Sequence, residues 1–167
     1  MSKPAWEFEH TVECNAPPRF AWGYWTNIAN WSDPPAKFHL DGPFEAGSRL
    51  TTTLPDQTWH SIIRDVHPDR EATIEMQLQD ALLSFHWRFE QLSEERTRIT
   101  QRLELGGENA KSFLAQVIVF EQSIPDGMKK VVAAIEGAQI GNTWSESSES
   151  GQPEHPADPL PKAATAG

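Results

Sequence analysis

The strongest constraint on the fold is a two-residue hydrophobic period that extends from about residue 37 to residue 107. Six segments place apolar side chains at alternate positions, as in "EATIEMQL", where Ile74, Met76 and Leu78 share one side. Short turn sequences such as "HPDR" and "SEER" join the segments. Such alternation indicates strands with one buried face, and short turns join antiparallel neighbours. The region therefore predicts a six-stranded antiparallel meander covered on one face only.

A seventh strand precedes the meander. The stretch "WEFEHTVEC", residues 6–14, alternates without a miss and places His10 in the middle of its apolar side. After it, "NAPPRFAWGYWTN" predicts a helix to about Asn27, with Asn15 as its N-cap. The stretch "IANWSDPP" predicts a second short helix.

The cover for the sheet is predicted at the end of the chain. Residues 110–122 have helical spacing, and a new helix is expected from Ser123, with Pro125 in its first turn. Between residues 124 and 138 the apolar side chains form a stripe that fits docking on one surface, including Met128. We therefore expect one domain over residues 1–141 and a disordered, acidic Ser/Pro/Ala-rich tail over residues 142–167.

The order of these elements resembles the START-like helix-grip (SRPBCC) superfamily, in its polyketide cyclase/dehydrase and lipid-transport branch. Local sequence agrees in Ala16-Pro17, Trp22, Thr26-Asn27 and Trp31, although Asn27 stands where that family usually has Asp. The stretches "DGPFEAGSRL" and "VHPDR" are similar to two of its turns, and the resemblance covers residue 5 to about residue 138. It implies an α+β helix-grip fold, in which about seven antiparallel strands curve around a long C-terminal helix.

The same resemblance implies a cavity between the sheet and the C-terminal helix. Inward polar residues then become informative, above all His10 and Gln101, which stand on strands expected to be neighbours. The apolar candidates for the lining come from the strands and from both helical regions. The candidate ligand-binding residues are His10, Gln101, Trp25, Trp59, Phe85, Trp87 and Met128.

Each candidate also has a plainer interpretation. His10 is either a ligand contact or a core histidine satisfied by a neighbour. Gln101 either orients a ligand or bonds His10 or water, and the aromatic candidates are either pocket lining or core. The facing of residues 57–66 stays open, because Trp59 with Ser61 and His60 with Arg64 both fit an alternating strand.

Composition limits the function classes. A net charge of −10 is a poor match for nucleic acid or anionic membrane. The single cysteine, Cys14, favours a reducing compartment, and the first residues lack the apolar stretch of a signal peptide, so we expect a cytoplasmic protein without membrane insertion. The six histidines form no metal-binding spacing, and no phosphate-binding loop is present, so no metal or cofactor is expected.

Two functions fit this pattern. The first is binding of a small hydrophobic molecule (a lipid, a polyketide or an aromatic compound) by a monomer or homodimer. The second is a polyketide cyclase/dehydratase-like enzyme with His10 as general acid/base, so whether the chain is an enzyme stays open. A co-chaperone-like interaction module would need a broad exposed apolar surface, which the outward strand faces do not show.

Overall fold

The computed structural model describes residues 3–147, with side chains through residue 140. Seven strands and three α-helices follow one another, with two short 3-10 helices between them. The elements are β1 Trp6–Cys14, α1 Pro18–Trp25, a 3-10 helix Ile28–Asn30, β2 Lys37–Asp41, β3 Arg49–Leu54, β4 Gln57–His67, β5 Glu71–Leu78, β6 Ala81–Ser93, β7 Arg96–Gly106, a 3-10 helix Ala110–Phe113, α2 Leu114–Val117 and α3 Phe120–Ser147.

The strands form one antiparallel sheet in the order β1-β7-β6-β5-β4-β3-β2. Strands β2 to β7 are the predicted six-stranded meander, and β1 pairs with β7 as expected. Gln101 of β7 pairs with His10 of β1 on one side and with Trp87 of β6 on the other. The α+β helix-grip architecture predicted from the sequence is therefore confirmed, with one face of the sheet packed against helices.

The structure decides the facing of β4. Ser61 and Ile63 are buried and Trp59 is half-buried, whereas His60 and Arg64 are exposed. A register shift between Ile63 and Val66 follows. Side chains alternate along a strand, so Trp59 shares the inward face with Ser61 and Ile63.

The C-terminal helix differs from its prediction at both ends. Helix α3 begins at Phe120 and not at Ser123, and Pro125 lies inside it. A proline removes one backbone hydrogen bond near the helix start, while buried Ile124 and Met128 hold this turn on the sheet. The helix then continues to Ser147, past the predicted domain boundary at residue 141. Most of the predicted tail lies outside the described residues.

Two asparagines beside the first helices have different roles. Helix α1 starts at Pro18 without a side-chain cap, so Asn15 is not its N-cap; the backbone N–H of Asn15 instead donates to Glu136 Oε2 at 2.7 Å. Asn27 Oδ1 accepts from the backbone N–H of Ala29 at 3.1 Å and caps the 3-10 helix. An amide in place of the usual carboxylate thus keeps the cap, because the acceptor oxygen is retained.

The helices of the described chain were also compared with the requirements of a membrane span. Between residues 3 and 147 no helix is both long enough and apolar enough to cross a bilayer.

Candidate functional site

The inward face of the sheet has a closely packed half under α1. Trp25 is the centre of an aromatic cluster there, with its ring centroid 4.8 Å from Trp87 and 5.4 Å from Phe89. Trp22 packs edge-on against Phe89 at 5.3 Å, and the Trp31 indole N–H donates to the Trp25 carbonyl at 2.7 Å. Each of these four tryptophans is less than a tenth exposed. This half of the space between the layers is filled by side chains.

The other half contains a cavity of about 350 Å³ between strands β2 to β6 and the helical residues that precede and open α3. Its lining residues are mostly apolar, and four of them are aromatic. The lining consists of Asp33, Ala36, Phe38, Thr52, Leu54, Gln57, Trp59, Met76, Leu78, Leu83, Phe113, Gln116, Val117, Val119 and Phe120.

The cavity exists because the cover is broken into short pieces at this point. The 3-10 helix Ala110–Phe113 and the single turn α2 lie over it, where a continuous helix would pack more closely. Ala110 and Val117 of this segment are buried against the core, while Ile118 and Val119, which follow it, are 52% and 57% exposed. The segment therefore covers the strands without filling the space beneath it.

The floor of the cavity has a small residue between two aromatic ones. Thr52 of β3 pairs with Phe38 of β2 on one side and with Trp59 of β4 on the other. Thr52 is 7% exposed, and the three side chains share the inward face. Neighbouring strands lie about 4.8 Å apart, so the two aromatic residues flank Thr52 at a backbone separation of roughly 10 Å.

The polar groups of the lining lie mainly at its rim. Gln57 and Gln116 are exposed, and Asp33, in the loop before β2, is the one charged residue among the lining residues that the structure describes. Burial against its surroundings raises the pKa of the Asp33 carboxyl, and the positive charge of Lys130 acts in the opposite direction. A carboxylate therefore borders a cavity whose other described lining residues are uncharged.

The predicted site residues are divided between the two halves. Trp59 lines the cavity. Phe85 is buried beside it, with its ring centroid 6.0 Å from that of the lining residue Phe120. Trp25 and Trp87 belong to the packed cluster, and Met128 is a buried residue of α3. Ligand binding by these residues stays a prediction.

His10 and Gln101 are adjacent, as predicted, but they do not line the cavity. Gln101 faces Trp87, four residues along β6 from the lining residue Leu83, which corresponds to roughly 13 Å along the strand. Gln101 is fully buried, and neither Oε1 nor Nε2 has a hydrogen-bond partner among the described residues. His10 is half-buried. His10 and Gln101 therefore form a pair of polar side chains beside the packed aromatic cluster.

Sequence reasoning missed most of the cavity lining. Phe38, Phe113 and Phe120 were assigned only to a strand or to a helical stripe, and Asp33 was interpreted as a helix end. One signal for the cover was present: the β-branched stretch Val117-Ile118-Val119, which weakens helix formation where α2 ends. No pattern in the sequence places Asp33 beside the β3 and β4 side chains, because that proximity is tertiary.

Two other concavities lie on the surface. One of about 580 Å³ is bordered by the start of α1 and the turn before β5, where Arg19, Arg70 and Arg88 alternate with Asp69, Glu71 and Glu90. Another, of about 420 Å³, lies beside the loop after β2 and is lined by Asn27, His39 and Phe44 among others. The first has mixed charges, and both are more open than the cavity under the start of α3, so both are poorer sites for an apolar ligand.

Cys14 is not placed for nucleophilic chemistry. It is fully buried, and burial, with a smaller contribution from Glu136, raises the pKa of its thiol to about 12. A thiol in that state is protonated at neutral pH and unreactive. Within the part of the chain that the structure describes, no group of three or more His, Cys, Asp or Glu side chains is placed to hold a metal ion.

Comparisons with known proteins give matches in structure alone. No family model and no curated protein sequence matches the chain. The chain is similar to norcoclaurine synthase from Thalictrum flavum, solved as a point mutant with a transition state analogue (TM-score 0.66, 11% identity, 83% of this chain and 99% of that one covered). It is also similar to the Zhui aromatase/cyclase from Streptomyces sp. R1128 (0.54, 20%, 87% and 98%).

A third similar structure is a protein from Arthrobacter aurescens solved in solution (TM-score 0.60, 14% identity, 79% of this chain and 86% of that one). At identities this low the likeness shows the fold. The helix-grip architecture is thus shared with solved proteins over more than three quarters of the chain, and the fold that the resemblance implies is confirmed. Function does not transfer with it.

Proposed function

We propose that this protein binds a small hydrophobic molecule in the cavity between the sheet and the start of α3. The observation that carries the proposal is the concave, mostly apolar space of about 350 Å³. Ligand sites are typically concave and apolar, with a few polar groups, and have volumes of about 300–1,000 Å³. Packed interiors leave few gaps larger than a water molecule, so a space of this size beneath the helical cover is unusual and favours a binding role.

The names of two structural neighbours support this function class. One norcoclaurine synthase structure is described as a complex with dopamine and hydroxybenzaldehyde, and Zhui is described as an aromatase/cyclase. Both names involve small ring compounds or their formation. The proposed setting remains the cytoplasm, with a monomer or homodimer as the working form, and both points rest on the sequence.

The alternative is a polyketide cyclase/dehydratase-like enzyme that uses His10 as general acid/base. Such a residue must be within hydrogen-bond reach of the reacting group. His10 lies beside Gln101, well away from Trp59 and the rest of the lining. The geometry therefore supports binding better than His10-dependent catalysis.

The test is a matched pair of tryptophan substitutions on adjacent residues of β3. Leu54 lines the cavity, whereas Thr53 is exposed on the opposite face. Leu54→Trp should fill part of the cavity and weaken binding of the neutral fluorescent probe N-phenyl-1-naphthylamine at least tenfold. Thr53→Trp should bind it as the wild type does, and thermal melts should show that both variants fold.

Equal probe affinity in the wild type and in a folded Leu54→Trp variant would overturn the proposal, because the probe would then bind elsewhere. A second measurement uses native mass spectrometry of the protein purified from its own host. A co-purifying small molecule that is displaced by the probe would identify the natural ligand class.

A further inference from the structure

The proposed function leaves open which hydrophobic molecules enter the cavity, and three features of the lining narrow the choice. The first is size. A volume of about 350 Å³ is close to the lower end of the range for ligand sites. Phe120, one of the lining residues, packs edge-on against buried Phe85 at an interplanar angle of 85°, so this side of the cavity is walled by aromatic rings. A space of this volume favours a compact ligand over a long or double acyl chain.

The second feature is the shape of the floor. Phe38 and Trp59 stand on either side of Thr52, so the smallest of the three side chains lies in the middle. Phe113 and Phe120 add aromatic surface from the cover. Aromatic rings attract other rings in offset or edge-on arrangements, beyond the effect of buried area alone. A flat compound of one or two rings lying over Thr52 would contact aromatic side chains on both sides.

The third feature is the sign of the charge at the mouth. Asp33 is the one charged residue among the described lining residues, and a carboxylate accepts hydrogen bonds without donating any. Asp33 is exposed at the mouth, and a ligand carboxylate or phosphate bound beside it would meet a like charge. Lys130 acts on Asp33 from α3 but does not line the cavity.

We propose that the cavity selects a compound of one or two rings that carries a hydrogen-bond-donating group, such as a hydroxyl, directed to Asp33, and that it discriminates against fatty acids and other carboxylate ligands. This inference rests on the proposed function, since it concerns the same cavity. Asp33 is then a specificity-determining residue, and the aromatic residues around Thr52 select the flat shape.

The experiment compares three probes of matched design at pH 7 by isothermal titration calorimetry. These are 2-naphthol, which is a neutral ring donor, 2-naphthoate, which is the same ring with a carboxylate, and 1-decanol, which is a donor on a flexible chain. The wild type should bind 2-naphthol at least tenfold more tightly than 2-naphthoate and more tightly than 1-decanol. Asp33→Asn should reduce the naphthol-to-naphthoate ratio to below about threefold.

The control is Asp41→Asn, which removes the same charge from the exposed, solvent-facing side of β2. It should leave the ratio as in the wild type. If the wild type binds 2-naphthoate as tightly as 2-naphthol or more tightly, the charge inference is overturned. This result needs the wild type alone, so it holds even if Asp33→Asn does not fold. Tighter binding of 1-decanol than of 2-naphthol overturns the ring inference.

The failure of this inference and the failure of the proposed function give different results. If Leu54→Trp abolishes binding of all three probes but the wild type does not discriminate among them, the cavity binds ligands and the class is wrong. If Leu54→Trp leaves the affinity of every probe unchanged, the cavity is not the binding site and both proposals fall.

Discussion

The two halves of the space between the sheet and the helices are made from the same strands but packed in different ways. Under α1, Trp22, Trp25 and Trp87 fill the space with interlocking rings. Under the start of α3, the side chains of Phe38, Thr52 and Trp59 line a cavity and do not fill it. The difference lies in the cover, because an eight-residue helix protects the first half and a 3-10 helix with one α-turn protects the second. Under the proposed function, stability and ligand binding thus belong to different halves of one core.

The largest effect that separates the halves is expected from leucine truncation. Leu103 is fully buried on β7, whereas Leu54 is half-buried at the cavity. Leu103→Ala should lower the free energy of unfolding by about 2–5 kcal/mol, because it creates a new void in packed surroundings. Leu54→Ala should cost about 1 kcal/mol or less, since its neighbours already border open space. Urea unfolding curves measure both values, and similar costs would contradict the division into packed and open halves.

A smaller effect is expected from the two glutamines that distinguish the halves. Gln101 is fully buried with no partner for its amide among the described residues, and Gln57 is exposed at the cavity rim. Gln101→Met keeps the length of the side chain and removes two unpaired polar atoms. It should leave stability unchanged or raise the free energy of unfolding by about 1–2 kcal/mol. Gln57→Met should change it by less than about 0.5 kcal/mol.

The measurement is again the urea midpoint of each variant. A folded Gln101→Met protein that is less stable by more than about 1 kcal/mol would show that the amide is satisfied in solution. In that case the Gln101 amide would have a hydrogen-bond partner, which the sequence analysis takes to be a ligand, His10 or water. Probe binding by the Gln101→Met variant would show whether that partner is a ligand.

The contrast between the halves also shows which features of the fold can be predicted from the sequence. Alternation along the strands predicts that Gln101, Ile74 and Met76 face inward, and all three are buried; the register confirms the expected pairing of β1 with β7. Those inferences succeed because strand periodicity is local. A meander with one apolar face needs a cover, and the helix-grip fold was predicted from the resemblance of the element order to the START-like superfamily.

Local pattern did not separate pocket from core. Trp25 and Trp59 look alike in the sequence, yet the first is 2% exposed in the cluster and the second lines the cavity. Which tryptophan borders open space depends on how closely the cover packs, and that depends on the break between Val117 and Phe120. The same reason explains why Asp33 was not a candidate, because a loop and a helix meet at the mouth only in the folded chain.

The smallest predicted effect concerns the pH dependence of stability at the cavity mouth. Burial, opposed in part by Lys130, raises the pKa of Asp33 above its ordinary value of 3.8. The folded state therefore holds the Asp33 proton more tightly than the unfolded state does. The resulting stabilisation is fully present below the unfolded pKa and is lost as pH rises through the folded pKa. Relative to Asp33→Asn, the wild type should lose stability over that window.

Urea midpoints of the wild type and of Asp33→Asn at a series of pH values from about 3 to 7 give the difference, in which the other carboxyls cancel. Lys130→Met should extend the loss to higher pH, because it removes the charge that lowers the pKa of Asp33. A wild type that instead gains stability over Asp33→Asn as pH rises would mean that the ionised carboxylate is favoured in the folded state. Pairing with Lys130 would then outweigh burial, and the mouth would present a neutralised pair to a ligand, which removes the physical basis for discrimination against carboxylates.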